Sequence, residues 1–376
     1  MSKDNLLIVA DSDHNADMLY AVRMFVPDPF IFLRLSGQSL IVLGDLEVDR
    51  ARKLAPHCKV LSLTEYQQRA KKQGVKRPSL AHVIRAVLKE HHFKKVMVPA
   101  SFPHGLARQL RDLKVKLKIC QSGCFPQREL KSSQEVKKIS AALMMAEVGL
   151  AEGMQALKRS KIGKSGRLMH NHIPLTSERL RAIIDTAIIQ AGGLANHTIV
   201  AGGEQACDPH ECGHGPLQAN TPIVLDVFPR SQRTGYFGDI TRTVVKGRAT
   251  EPMRKMYHAV AQAQDLAFRH LRPDRSGLEV HKEVDAFFQS QGFKTGKSTG
   301  RMEGFFHGTG HGVGLEIHEP PRLSKTSSDT LRAGHVVTVE PGLYYSGIGG
   351  MRLEDMAFVT NSVAKNLTKF EKVLEI

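Results

Sequence analysis

The sequence predicts two domains, an α/β domain over residues 1–128 and an α+β domain over 129–376. Three observations predict them. The chain has 376 residues, 41% hydrophobic and 24% charged, which is too long for one core at roughly 100–200 residues per domain. Short apolar runs alternate with helix-like stretches through the first third of the chain. After a break near Gly123–Pro126 the pattern shifts to longer strands, glycine-rich segments and helices.

In the first domain, Leu6–Ala10, Phe30–Leu35, Leu40–Leu43, Val60–Leu63, Val96–Val98 and Leu117–Cys120 read as strands. Ser79–His91, opened by Pro78, and Pro103–Leu113 read as helices between them. Such alternation packs helices on a sheet. No glycine-rich phosphate loop follows any of these strands, which argues against a nucleotide site there. In the second domain, Ser132 or Ser133 is a candidate N-cap with Glu135 in the first turn. Val136, Ile139, Leu143, Ala146, Leu150, Met154 and Leu157 then recur at helical spacing, so Glu135–Lys158 reads as one long helix. Further helices are expected at Ser177–Gln190, Glu251–Leu271 and Leu278–Gln289.

Composition excludes several classes. No stretch approaches ~18 uninterrupted apolar residues, so no transmembrane helix is expected. The first residues have one early lysine, Lys3, and a short apolar run closed by Asp11 and Asp13, unlike a secretory signal. Five cysteines make an odd set with no disulfide framework, so a cytoplasmic protein is expected. Fifty-three Lys and Arg against thirty-seven Asp and Glu give a net charge of +16, which permits attraction to polyanions. The basic residues are dispersed, no aromatics interleave with them and there is no tryptophan, so a solvated basic surface is favoured over nucleic-acid binding.

The chemistry is carried by acids inside apolar strands. Asp226 closes Pro222-Ile-Val-Leu, and Asp239 opens Ile240-Thr-Arg-Thr-Val-Val, with a turn-rich Pro229–Gly235 between. Such a pair of strands should run antiparallel and bring the carboxylates together. The pattern recurs: Glu340 ends His335–Glu340, and Glu354 lies in a strand Met351–Val359, with glycine-rich Pro341–Gly350 between. The spacings are 13 and 14 residues. A single such acid would most simply end its strand and point to solvent. Four, in two matched hairpins, point to a site that compensates buried negative charge, and divalent cations do that.

Three histidines, His307, His311 and His318, fall within twelve residues. Gly308, Gly310, Gly312 and Gly314 rule against a zinc-binding helix despite the four-residue spacing, and favour an extended segment approached closely by a ligand. One imidazole with four carboxylates is a hard, oxygen-rich set that suits two Mn²⁺, Co²⁺, Fe²⁺ or Zn²⁺ ions. Cys207, His210, Cys212 and His214 match no common zinc module, and Cys120 and Cys124 have three residues between them rather than the two of a redox pair.

These motifs, Leu225-Asp226, Gly238-Asp239-Ile-Thr-Arg-Thr, His307-Gly-Thr-Gly-His311 with His318-Glu319, Val339-Glu340-Pro-Gly and Arg352-Leu-Glu354-Asp355, resemble the pita-bread metallopeptidases. That family includes Xaa-Pro aminopeptidase, prolidase and methionine aminopeptidase. The resemblance covers the whole chain, and the N-terminal domain is similar to the creatinase/prolidase type. It implies Asp226, Asp239, His311, Glu340 and Glu354 as ligands, with Asp239 and Glu354 bridging two metal ions and a shared hydroxide as nucleophile. Asp226 would complete one ion, His311 and Glu340 the other. It implies Glu340 as proton acceptor, His307 and His318 as substrate-positioning and intermediate-stabilising groups, and His210 as an upstream substrate contact, with His214 its competitor. Arg352 would stand beside the bridging glutamate. Arg322, in His318-Glu-Pro-Pro-Arg322, would grip a substrate carboxylate. Creatinase lacks this ligand set. The resemblance also implies a homodimer. The expected function is an Xaa-Pro aminopeptidase acting on proline-containing peptides; the alternative is an Xaa-Pro dipeptidase, and a different-class alternative is a non-catalytic basic binding protein. Length preference is expected to turn on Arg322: lining the pocket it would favour dipeptides, and on the rim it would admit longer peptides.

Overall fold

The structure, a computed structural model, describes residues 5–121, 123–298 and 300–376. Lys3, and the residue between Gln121 and Gly123 in the Cys120–Cys124 turn, lie outside the described residues. The chain divides into two compact units, one ending at Arg128 and one beginning at Glu129.

The first unit is built on six strands, β1 (Leu6–Ala10), β2 (Phe30–Leu35), β3 (Gln38–Leu43), β4 (Lys59–Ser62), β5 (Lys95–Val98) and β6 (Lys116–Ile119), in the order β4-β3-β2-β1-β5-β6. β1 is antiparallel to β2 and parallel to β5, and β3 is parallel to β4. Helices α1 (Ala16–Val22), α2 (Asp45–Leu54), α3 (Leu63–Lys72), α4 (Leu80–Glu90) and α5 (His104–Asp112) connect them. Successive strand residues point to opposite faces. Ile8, Phe32 and Ile41 therefore pack in one core with Met18 and Val22, while Leu7, Ile31, Leu33 and Val42 pack in another with Ile84 and Val87. Both faces are covered, which explains why β1 is apolar at every position.

The second unit opens with α6 (Ser133–Arg159), held by a reciprocal cap: the Ser132 hydroxyl accepts from Glu135 N–H and the Glu135 carboxylate accepts from Ser132 N–H. α7 (Ser177–Gln190) lies against it at close range. A Cβ at Gly149 would meet Ile188 Cγ1 at 2.6 Å and one at Gly153 would meet Ile184 Cγ1 at 2.7 Å, so only glycine fits there. α8 (Glu251–His270) and α9 (Gly277–Ser290) pack on a core that includes Val337, Val339, Leu343, Met351 and Leu353.

Two sheets carry the acids. One orders Ile199–Gly202, Pro222–Val227 and Ile240–Val245, all antiparallel; the other orders Glu319–Leu323, Gly310–Gly312, Val336–Val339, Asp355–Phe358 and Lys365–Asn366. The expected single strand Met351–Val359 is two. Gly349–Arg352 pairs with Gly342–Tyr345, Asp355–Phe358 pairs with Val336–Val339, and Glu354 sits at the break. The reason is a change of partner: the Glu354 N–H donates to Thr241 O at 3.0 Å, joining the two sheets at that residue. The glycine-rich turn between Glu340 and Glu354 is thus itself a hairpin. Among the described residues no helix is long and apolar enough to cross a membrane.

Candidate active site

Both expected acid pairs converge, and they do so on one another. Asp226 faces Thr241 across its strand pair, and Asp239 immediately precedes that partner strand. Glu340 follows Val336–Val339, whose last residue faces Asp355, next to Glu354. Gln264 of α8 clamps the two ends, donating from Nε2 to Val339 O at 2.8 Å and Leu353 O at 3.1 Å. His311 enters from Gly310–Gly312. Its Nε2 lies 3.3 Å from Glu340 Oε1 and 3.7 Å from Asp239 Oδ2. One ligand atom each from Asp239, His311 and Glu354 falls within 4.8 Å of the others, all three residues being buried. Thr241 Oγ1 donates to Glu354 Oε2 at 2.7 Å.

The electrostatics follow from the crowding. Burial, then the charges of Glu354, Asp226 and Glu340, holds the Asp239 carboxyl well above its ordinary range. Burial, then Glu340 and Asp226, does the same to Glu354. Burial pushes Glu340 up to about 7 against the opposing field of Arg352. Burial, then the neighbouring His318, pushes His311 down to about 3, so its imidazole is neutral. Burial and mutual repulsion of this kind are what divalent cations would offset. Asp226 Oδ1 is buried with no hydrogen-bond partner. An orphaned carboxylate oxygen beside this N/O donor set fits divalent metal ions.

Around this cluster lie the other expected residues. Arg352 is buried and pairs with Asp226, Nη2 to Oδ2 at 2.7 Å, and its charge bears on Glu354. It also donates from Nη1 to the Tyr344 hydroxyl at 2.9 Å. That oxygen lies 2.9 Å from His307 Nε2, and His307 Nδ1 lies 2.7 Å from Gly308 O. Arginine can only donate and a carbonyl can only accept, so the directions are fixed: Tyr344 gives its hydrogen to Nε2, and Nδ1–H faces the carbonyl. Burial and the Arg352 charge push His307 down to about 3, consistent with that neutral tautomer. Both ring nitrogens are occupied, so neither is free for a further partner.

His318 is exposed, with its ring 4.4 Å from that of His311 at 87°. His210 is exposed, and its charge bears on both His307 and His318. Its competitor His214 instead lies 3.7 Å from Glu211. Arg322 is exposed on the rim, opposite His311 in the strand register and hence on the same sheet face. Its charge bears on His311, His318 and Glu340.

Two features escaped the sequence reading. Tyr344 is one, although an aromatic soon after Glu340-Pro-Gly was a visible signal. The other is a buried ion pair, Lys131 Nζ to Glu319 Oε1 at 2.5 Å. It anchors the loop carrying His318, and Gly314 is required there because a Cβ would lie 2.6 Å from that carboxylate. Of the cysteines considered for metal or redox chemistry, burial pushes the Cys207 thiol up to about 11 and raises Cys124 further, which keeps both protonated.

Residues 137–361 match the model of Metallopeptidase family M24. The chain belongs to this family. A Pyrococcus horikoshii protein named Xaa-Pro dipeptidase is 31% identical over 287 residues, 75% of either chain. The solved Xaa-Pro dipeptidase from Bacillus anthracis superimposes with a TM-score of 0.83 at 21% identity, covering 99% of this chain and 95% of that one. The X-Pro aminopeptidase from Thermotoga maritima does so at 0.81 and 20%, covering 99% and 97%. The M24 chain therefore has the pita-bread catalytic fold with an α/β N-terminal unit.

Proposed function

We propose that this M24 chain is a metal-dependent peptidase that hydrolyses Xaa–Pro bonds, and that it is better described as a dipeptidase than as the aminopeptidase the sequence reading favoured. The reading is carried by one observation: Asp239, His311 and Glu354 offer ligand atoms within 4.8 Å of one another, with Glu340 3.3 Å from His311. Asp226, Asp239, His311, Glu340 and Glu354 would hold two divalent ions. Bound there, such ions polarise a peptide carbonyl and make water a stronger nucleophile at neutral pH. Glu340, 3.3 Å from His311, would take a proton from the attacking water and pass it to the leaving nitrogen. His318, exposed beside His311, would donate to the developing oxyanion. The ring of His307, fixed by Tyr344, would pack on the proline, whose nitrogen offers no hydrogen to recognise.

The preference for a dipeptidase is supported by the name of the Pyrococcus horikoshii relative; the exposed position of Arg322 pulls the other way, toward longer peptides, although its guanidinium shares the sheet face of His311 and can meet a free proline carboxylate. The deciding experiment has two parts. Hydrolysis of Ala-Pro should vanish on thorough chelation and return with Mn²⁺, Co²⁺ or Zn²⁺; activity that survives metal removal would sink the mechanism. Ala-Pro should be cleaved faster than Ala-Pro-Ala-Ala, and Arg322→Ala should erase that difference. An undiminished preference for the dipeptide in Arg322→Ala would remove Arg322 from the argument.

A further inference from the structure

Two cavities of opposite charge meet at the His307–Tyr344 pair. One, of about 560 Å³, is lined by Tyr344 and by Glu204, Asp208, Glu211 and Glu303 against the single cation Arg301 among its described residues. The other, of about 1190 Å³, is lined by His307 and by Lys282, Lys294 and Lys325 against Asp285. Met302 and Phe306 belong to both and form the wall between them. A basic cavity is unsurprising in a chain of net charge +16. An acidic one runs against that balance.

The carboxylates of the acidic cavity are held by backbone N–H groups rather than neutralised by neighbouring cations. Glu303 accepts from Ser346 N at 3.1 Å, Glu204 from Gly347 N at 2.5 Å, Asp208 from His210 N at 3.0 Å and Glu211 from Gly213 N at 3.0 Å. Through Asp208 and Glu211 this cavity adjoins the His210 loop. Across the wall, the three lysines are exposed and reach the cavity from α9 and two loops, and the Lys325 charge bears on His281, which lies 3.0 Å from Thr309 two residues before His311.

A peptide cleaved next to its N-terminus is itself polar in the same sense, with an ammonium ahead of the scissile bond and a carboxylate behind it. We infer that the two cavities read this polarity: the acidic one takes the residue ahead of proline, the basic one takes the residues after proline, and the cleft selects peptides with cationic groups on the amino side and anionic groups on the carboxyl side. The inference rests on the Xaa–Pro reading and deepens it. A dipeptide satisfies the rule in its smallest form. The basic cavity is larger than the roughly 300–1,000 Å³ typical of small-ligand sites, so it also has room for residues beyond proline when they carry negative charge.

The test uses two peptides of identical composition and reversed polarity, Lys-Pro-Ala-Glu and Glu-Pro-Ala-Lys, with the metal-loaded full chain. The first should show a KM lower by roughly tenfold at low salt, the sum of several exposed ion pairs, and the gap should shrink in high salt. Lys282→Gln with Lys325→Gln should raise KM severalfold for Lys-Pro-Ala-Glu and leave kcat and the Ala-Pro-Ala amide, which lacks a carboxylate, unchanged. Glu303→Gln, which keeps the acceptor for Ser346, should weaken Lys-Pro-Ala-Glu relative to Ala-Pro-Ala-Glu. Equal KM values for the two isomers, or lysine variants that impair the carboxylate-free amide equally, would overturn the inference. Calorimetric binding of both peptides in the presence of chelator separates the two readings. If neither peptide is hydrolysed but the binding order holds, the peptidase reading fails and the polarity stands; if both are hydrolysed without an order, the reverse is true.

Discussion

The two units bury different chemistry. In the first, Ser12 is the sole buried polar residue among those described, and it is satisfied by donating to Met24 O at 2.7 Å and accepting from Val26 N at 2.8 Å. In the second, Asp226, Asp239, Arg242, Glu319, Arg352, Glu354 and Asp355 are all buried. Apolar burial stabilises at roughly 25 cal/mol per Å², while a buried charge costs several kcal/mol unless paired. Some of that cost is met by structural pairs, Arg242 with Asp355 at 2.9 Å and Lys131 with Glu319. Of the acids around His311, Asp226 is matched by Arg352, while Asp239 and Glu354 crowd one another without a cation of their own. This difference is what supports placing the proposed site in the second unit.

The largest expected break in this contrast comes from Asp239→Asn or Glu354→Gln. Either should lower kcat/KM for Ala-Pro by about 10³-fold or more, since several kcal/mol of metal assistance are lost. The same substitutions should raise the thermal midpoint of the chelated protein by relieving repulsion. Near-normal turnover with metals bound would refute the roles assigned to these two acids. Lys131→Met comes next. Removing the Lys131 ammonium from buried Glu319 should cost about 3–5 kcal/mol in denaturant unfolding, and adding Glu319→Leu should recover most of it. A silent Lys131→Met would mean the pair anchors nothing. In the first unit, Leu33→Ala should cost about 2–5 kcal/mol through the cavity it leaves, yet leave kcat unchanged. A kcat that fell with it would erase the division between the units.

The smallest effect is in pH. Glu340 rises from its ordinary 4.5 to about 7, and Asp239 and Glu354 rise as well, so the folded metal-free protein holds protons that the unfolded chain releases. Stability from this source is full below about 4.5 and is lost as pH rises through about 7. Hydrogen exchange of chelated protein, corrected for intrinsic rates, should show Val336–Val339 losing protection between pH 5 and 7 while Leu6–Ala10 does not. Divalent cations should reverse the loss. A flat profile in Val336–Val339 would remove repulsion as the organising force of the site.

Much of this was legible locally. Strand alternation and apolar periodicity located β1, β2 and α6, and Ser132 with Glu135 announced a cap, because these signals act over two to four residues. The matched acids at 226, 239, 340 and 354 stood out because a carboxylate in an apolar strand conflicts with its surroundings. The Glu354 strand break, the Arg352–Asp226 pair across 126 residues and the Lys131–Glu319 pair across 188 left no such trace.

By itself, then, the sequence determined the residue types of the site, their order and the elements that carry them, since hydrophobic period and turn chemistry depend on near neighbours. Only the tertiary structure decided that Thr241 bridges to Glu354 between the two sheets, that Tyr344 orients His307, that Arg322 is exposed and that an acidic and a basic cavity meet at Phe306. Those are distances between segments far apart in the chain, and they are set by how sheets and helices pack rather than by any spacing along it.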